Sequence, residues 1–480
     1  MKNMQAVQPG VERRERRQIH LPGSAQIERR RERMAAVEHA GRSQRVAANA
    51  HDLRRLGFAL VVPKDEATNA ARRAPQDKAR VSVKSSDRLR IAFIADCLEG
   101  PGGGLVSGRR FVTRLRQEHE VTLVSADPPS PGQVALPGFG TSIRRMRENG
   151  FVFARPQRDK LARVFAASDI VHLQYPFWLS MVAFEEARKQ HLPIVAAFHV
   201  QPENVLMNAG IRSQRLSDWL YRFWIDRLYN RVELVICPTA FAERKLREHG
   251  LLVPVEQVSN GVVSQATRHP DLRNAGDFGF FLILMVGRLA REKRQDVLLR
   301  ALRLCRHRQH VKVVLAGAGP EEGRLRALAE RLPNEVEIGF VPQPRLDQLL
   351  TTCDLFVHAS EVELEGMSVL EAMSVGCPVL VADSPESAAS TMALDERFSF
   401  PAGDEKVLAQ KIDALIEQPE LRRASGEEYR KIARTFSFEA SAQKLVTAYR
   451  TAIQLHAAAA SDAGAEAAPL MPHHPIAIEP

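Results

Sequence analysis

Short apolar runs recur along the chain from residue 88 onward, each bounded by turn residues, with helix-like stretches between most of them. The runs are "LRIAFIAD" (89–96), "VTLVSA" (121–126), "DIVHLQY" (169–175), "PIVAAFHV" (193–200), "VELVICP" (232–238), "FLILMVG" (281–287), "VKVVLAG" (311–317), "DLFVHA" (354–359) and "PVLVAD" (378–383). Runs of this length and composition read as strands. Strand, helix, strand repeated this often predicts an α/β fold of doubly wound parallel sheets.

There are more strands than one modest sheet needs, and the series breaks at "VSNGVVSQATRHPDLRNAGDFG" (258–279), a polar stretch with asparagines, glycines and a proline. The break divides the chain into two Rossmann-like domains, 88–262 and 278–436, facing each other across a cleft, with 263–277 as the hinge. A further helix is expected over 437–456. The alanine-rich remainder, 457–480, is expected to be a disordered tail.

Length and composition agree with this division: 480 residues suit two domains with substantial cores, and 45% hydrophobic with 26% charged residues is an ordinary globular balance. The net charge of +10 changes the picture only when it is located. Residues 1–84 hold nineteen Lys and Arg against nine Asp and Glu, and the rest of the chain holds 48 of each sign. The whole excess sits in the leader, 1–87, which has few aromatics and little apolar periodicity and so is expected to be largely disordered. Such an arm suits an anionic membrane surface, or is a plain solvated extension; it has no apolar core of a signal peptide. No stretch approaches the roughly 18 to 20 apolar residues needed to cross a bilayer. Five scattered cysteines lack the paired spacings of zinc sites and are expected as small core residues in a reducing cytoplasm.

In an open parallel sheet, ligands bind beyond the carboxyl ends of the strands. After "FLILMV" comes "GRLAREK", which places Arg288 and Lys293 at the mouth of a helix. Two cations beside helix amides suit a diphosphate, although two solvated loop cations would give the same pair. After "DLFVHAS" comes "EVELEGMSVLEAM". Here Glu363 lies in the loop, Gly366 lets the backbone approach a ligand, the amides of Met367 and Ser368 open a helix, and Glu371 lies one to two turns further on. A carboxylate accepts hydrogen bonds from two neighbouring hydroxyls, so two acids flanking a helix start suit the two diols of a nucleotide sugar, sugar on one side and ribose on the other.

With "GAGPE" (317–321) and "GFVP" (339–342) between them, these stretches resemble the donor-binding half of the retaining glycosyltransferases of family four, which have the two-domain GT-B fold; the resemblance covers about residues 88–455. It implies that Arg288 and Lys293 hold the donor diphosphate. Glu363 and the amides of Gly366, Met367 and Ser368 would hold the transferred sugar and its phosphate, and Glu371 the ribose. Gly103 and Gly104 would form a loop closing on the phosphate, and His199 in "AAFHVQPEN" would sit against the reacting sugar. The C-terminal helix would return toward the N-terminal domain. Two departures stand out: Glu365 where family members often have phenylalanine, and Arg294 where they often have glycine. "ADSPES" (382–387) also lacks a glycine pair common after that strand.

The expected reaction is transfer of a hexose, UDP-linked, with retention of configuration, by front-face attack in which a donor phosphate oxygen takes the acceptor proton. The enzyme contributes positioning and charge stabilisation. No Asp-x-Asp occurs in the chain, so no metal is expected, and no cofactor beyond the nucleotide-sugar co-substrate. "FHVQPENVLMNAGI" (198–211) and "ADSPESAASTMALDERFSF" (382–400) resemble a bacterial subgroup that glycosylates membrane lipids such as diacylglycerol. Residues 215–231 interleave apolar Leu216, Leu220, Phe223, Trp224 and Leu228 with four arginines, which suits either a membrane interface on the inner face of the plasma membrane or core packing.

Rival readings are a transferase acting on a soluble sugar or polysaccharide, a nucleotide-sugar epimerase on the same fold, and an RNA-binding protein using the leader. The leader's scarcity of aromatics argues against specific nucleic-acid binding. "GAGPEEG" (317–323) spaces its glycines one residue too far for a dinucleotide fingerprint.

Overall fold

The structure, a computed structural model, describes residues 88–100, 102–139, 151–263 and 279–466. The basic leader and nearly all of the expected hinge lie outside the described residues.

The first domain is built on β1 (Arg90–Ile94), β2 (Glu120–Ser125), β3 (Gln133–Ala135), β4 (Ile170–Leu173), β5 (Ile194–Ala197), β6 (Leu234–Cys237) and β7 (Val255–Gln257). All pair in parallel, in the order β3-β2-β1-β4-β5-β6-β7. The second domain repeats the plan with β8 (Phe281–Val286), β9 (Val311–Ala316), β10 (Glu335–Gly339), β11 (Leu355–His358), β12 (Val379–Asp383) and β13 (Ser399–Pro401), ordered β10-β9-β8-β11-β12-β13. In both sheets the order reverses beside the first strand, and the crevice at such a switch point is where ligands bind. Strands β4, β5, β6, β9 and β11 are buried at every residue because helices cover both faces.

Five helices position the site and join the domains: α1 (Gly103–Leu115), α2 (Gln214–Arg227), α3 (Gln295–Leu302), α4 (Met367–Val375) and α5 (Phe438–Glu466). The expected C-terminal helix is α5, and it does return to the first domain. Phe438, Leu445, Tyr449 and Ala452 pack with Ile91, Phe93 and Phe111 under the first sheet. Val262, leaving the first domain, and the start of α5, entering it, are bonded to each other: Val262 N–H donates to the Phe436 carbonyl at 2.8 Å and Phe438 N–H to the Val262 carbonyl at 3.1 Å.

The helix also corrects the reading of the tail. It does not stop at His456 but runs ten residues further, to Glu466. Alanine loses no side-chain entropy in a helix, so "AAAASDAGAE" carries on the helix already nucleated by the packed part. Residues 457–461 are exposed there, which makes this extension a matter of propensity.

Helix α2 settles the double reading of residues 215–231 in part. Leu220, Trp224 and Leu228 belong to the core of the first domain, Leu216 and Phe223 are half-buried, and Arg215, Arg222, Arg227 and Arg231 are exposed. Core packing therefore accounts for most of the apolar stripe. Among the described residues no helix is long and apolar enough to cross a membrane. All five cysteines are buried free thiols, as expected of small core residues.

Candidate active site

The site is assembled from loops at the carboxyl ends of both sheets. In the second domain, β8 ends in Gly287 and Arg288, and β9 in "GAGPE". These two loops lie backbone on backbone: a Cβ on Gly317 would fall 2.0 Å from the Gly287 carbonyl oxygen, and one on Gly319 would fall 2.4 Å from that of Leu289. Gly317 and Gly319 of "GAGPEEG" thus serve loop packing, whereas Gly323, the glycine that departs from dinucleotide spacing, has nothing within 4 Å of its Cβ position. The packing fixes the turn that carries Arg288 and Lys293.

Arg288 pairs with Glu292, which is almost wholly buried, and Lys293 pairs with Glu363. The residue expected on the diphosphate and the residue expected on the sugar are therefore one ion pair. His358, at the end of β11 and 2% exposed, brings Nε2 to 3.5 Å from the same Glu363 oxygen. Burial pushes the Glu363 carboxyl up, but Lys293 and His358 outweigh it and hold it down at about 2. Glu363 is ionised at any physiological pH.

Gly366 precedes α4 with φ 91°, a left-handed conformation that glycine adopts freely, and no side chain caps the helix. The first amides of α4, those of Met367 and Ser368, lack a carbonyl one turn back and carry the positive end of the helix dipole. Helix α1 of the first domain also starts without a side-chain cap or an acid in its first turn. The first residues of the two helices are neighbours: a Cβ on Gly103 would touch Met367 Sδ at 3.5 Å. The loop leading to α1 is held by Asp127, whose carboxylate accepts the amides of Leu98 at 2.8 Å and Glu99 at 3.1 Å.

His199 follows β5 on the opposite wall, its Cβ 3.8 Å from where Gly104 would carry one. Burial lowers its pKa to about 4, so the imidazole is neutral and aligned beside the α1 start without adding charge. Glu371, on the second turn of α4, receives Arg110 Nη2 of α1 at 3.2 Å. Burial raises its pKa and Arg110 pulls it back. Gly103 and Gly104, expected in a loop, are instead the first two residues of α1, and the other eight residues singled out from the sequence lie in loops at the carboxyl ends of strands or in the first two turns of α4.

Comparison with known proteins agrees with this geometry. Residues 101–265 match the family described as Glycosyltransferase Family 4, and residues 273–432 match Glycosyl transferases group 1. The chain belongs to the family-four glycosyltransferases. The α-monoglucosyldiacylglycerol synthase of Streptococcus pneumoniae is 22% identical over 302 residues, 60% of this chain and 67% of that protein. A GDP-mannose-dependent α-mannosyltransferase of Mycolicibacterium smegmatis is 26% identical over 313 residues, 62% of this chain and 80% of that protein. Among solved structures, Anabaena HepE in complex with UDP-glucose superposes with a TM-score of 0.61 at 19% identity, over 75% of this chain and 99% of that one, a likeness that shows the GT-B fold.

Within this glycosyltransferase the two sequence departures have visible consequences. Arg294, in place of a common family glycine, has φ 53°, the left-handed conformation in which glycine is the unstrained choice. Its guanidinium is held by Glu361 and by Asp296, the latter at 3.3 Å. Glu365 is 2% exposed and faces the first domain. Sequence reasoning missed three residues: His358 behind Glu363, Arg110 on Glu371, and Tyr175, whose hydroxyl lies 3.8 Å from the Gly104 Cβ position. The signal of Arg110 and Tyr175 is weak in the sequence because each depends on contacts between elements far apart in the chain, whereas His358, five residues before Glu363, ends an apolar run that reads as a core strand.

Proposed function

We propose that this glycosyltransferase moves a hexose from a UDP-hexose to a membrane lipid such as diacylglycerol, with retention of configuration and without a metal ion. The observation that carries the reading is the contact between the first residues of two uncapped helices, Gly103 against Met367, with His199 against Gly104 and the Lys293–Glu363 pair in the loop that leads to α4. Free amides at two neighbouring helix starts, together with Arg288 and Lys293 on the loop after β8, suit the diphosphate of a nucleotide sugar and the charge it gains as the sugar leaves. In this reading Glu363 accepts the hydroxyls of the hexose, and Glu371 exchanges Arg110 for the ribose diol. Neutral His199 lies against the sugar, and the donor's own phosphate oxygen takes the acceptor proton.

The lipid acceptor is supported by the similarity to the pneumococcal diacylglycerol glucoside synthase, and by the basic leader and the exposed arginines of α2, which suit an anionic surface. The site of action is then the inner face of the plasma membrane. The similarity to a GDP-mannose-dependent enzyme favours the competing donor. The test is nucleotide release from a panel of UDP-, GDP- and ADP-hexoses, with and without diacylglycerol-containing anionic liposomes. The reading expects release from a UDP-hexose that requires the liposomes. Release from GDP-mannose alone would overturn the donor, and equal release onto soluble sugars would overturn the acceptor.

A further inference from the structure

Glu365 lies in the donor loop, between Glu363 and Gly366, and its carboxylate turns to Ser259 and Asn260 at the end of the first domain. Its carboxylate accepts four hydrogen-bonding contacts from two consecutive residues: Ser259 Oγ, the Asn260 backbone N–H at 3.0 and 3.2 Å, and Asn260 Nδ2 at 2.6 Å. Asn260 is 6% exposed, and its Oδ1 accepts Ser107 Oγ, which is fully buried on α1 four residues after Gly103. Ser259 Oγ in turn accepts Gly261 N–H at 3.0 Å. One residue before Glu365, the Leu364 carbonyl accepts Thr239 Oγ1 of the first domain at 2.8 Å.

We propose that Glu365 is a positioning residue for the transfer: through Asn260 and Ser107 it ties the donor loop to α1, so that the two helix starts keep their spacing across the seam. The inference rests on the donor site proposed above, and it gives the departure from the common phenylalanine a purpose. A phenylalanine would fill the volume but leave Asn260 N–H, Asn260 Nδ2 and Ser259 Oγ without an acceptor in a buried place. Every contact that the carboxylate itself makes is with a donor, from Ser259 or Asn260, so the ionised form is the one that holds them.

The charged and titratable groups near Glu365 are Glu363 on its own loop and the Cys237 thiol at the end of β6. Burial pushes the Glu365 carboxyl up, Ser259 and Asn260 pull it down, and the Glu363 charge adds to the rise, for a value of about 7. A folded-state pKa above the ordinary 4.5 means that protonation contributes stability that is complete below about 4.5 and is lost as pH rises through about 7. Activity runs the other way, rising through the same interval as the carboxylate forms.

The test compares the full-length wild type, Glu365→Gln, and the double variant Glu365→Gln/Asn260→Asp, which reverses the hydrogen-bond polarity while keeping the volume. Two readouts are taken: amide hydrogen exchange over residues 259–261 and 363–371, and nucleotide release from UDP-glucose with diacylglycerol liposomes between pH 6 and 8. The proposal expects Glu365→Gln to exchange at least tenfold faster in both segments and to lose at least tenfold in kcat/KM at pH 8. It also expects the variant's pH profile to be flat through 7, and the double variant to recover to within about threefold. Wild-type exchange in Glu365→Gln, or no recovery in the double variant, would overturn it. If Glu365→Gln does not fold, Ser259→Ala takes its place, with the same acceleration expected in 363–371 and wild-type exchange there overturning the proposal. If the wild type releases no nucleotide from any donor, the transferase reading fails by itself and the exchange data decide the role of Glu365.

Discussion

At the scale of single residues, charge at this site is distributed by pairing. Lys293 and His358 hold Glu363 far below the ordinary carboxylate range, so its contribution to stability is present above about pH 4.5 and is lost as pH falls toward 2. Glu363→Gln should therefore flatten the loss of stability between pH 4.5 and 2, measured by denaturant midpoints at each pH. A loss as steep as in the wild type would remove the pair from the account. Gly366→Ala adds a Cβ 3.2 Å from that of Ala389 at a φ of 91°. It should cost about 1–2 kcal/mol in thermal or chemical unfolding, and lower kcat/KM more than that figure alone implies, because the strain falls on the loop that aims Glu363.

Among the elements, what was legible in the sequence divides cleanly. All nine strands expected from apolar runs exist, and each is interior to its sheet. Within the two large sheets, the four strands that the runs did not announce, β3, β7, β10 and β13, are the four edges. An edge strand has a partner on one side only and needs no continuous apolar run, as "EVEIG" of β10 illustrates with Ile338 its only buried residue. Helix α5 was legible as far as its packed face and misjudged beyond it, because residues 457–461, which follow that face, are exposed and set by propensity. Truncation after His456 should leave the melting temperature within about 1 °C of the full chain. Leu445→Ala, by contrast, removes a residue 1% exposed between α5 and the first sheet and should cost about 2–5 kcal/mol. Equal effects of the two changes in a thermal melt would contradict the assigned division of the helix.

For the whole molecule, the donor half of the site was legible because its residues cluster within a few turns of chain, at 288–294 and 363–371. The cross-domain half was not: Arg110 meets Glu371, Asn260 meets Glu365, and Gly103 meets Met367 only once both sheets are folded and α5 has closed the chain back on the first domain. The excess charge also belongs to this scale. Deleting residues 1–84 removes the full net charge of +10. It should weaken sedimentation with anionic liposomes in a salt-sensitive way while leaving nucleotide release onto a soluble acceptor analogue unchanged. Undiminished sedimentation would assign membrane attachment, if any, to the arginines of α2.

The most direct measurement is nucleotide release from UDP-glucose on diacylglycerol-containing liposomes by the wild type beside Lys293→Ala and Glu363→Ala. The account predicts liposome-dependent release by the wild type and a loss of at least about 100-fold in kcat/KM in each variant, with far-ultraviolet circular dichroism unchanged. Wild-type rates in both folded variants would contradict the assignment of the Lys293–Glu363 pair to the donor sugar and its diphosphate.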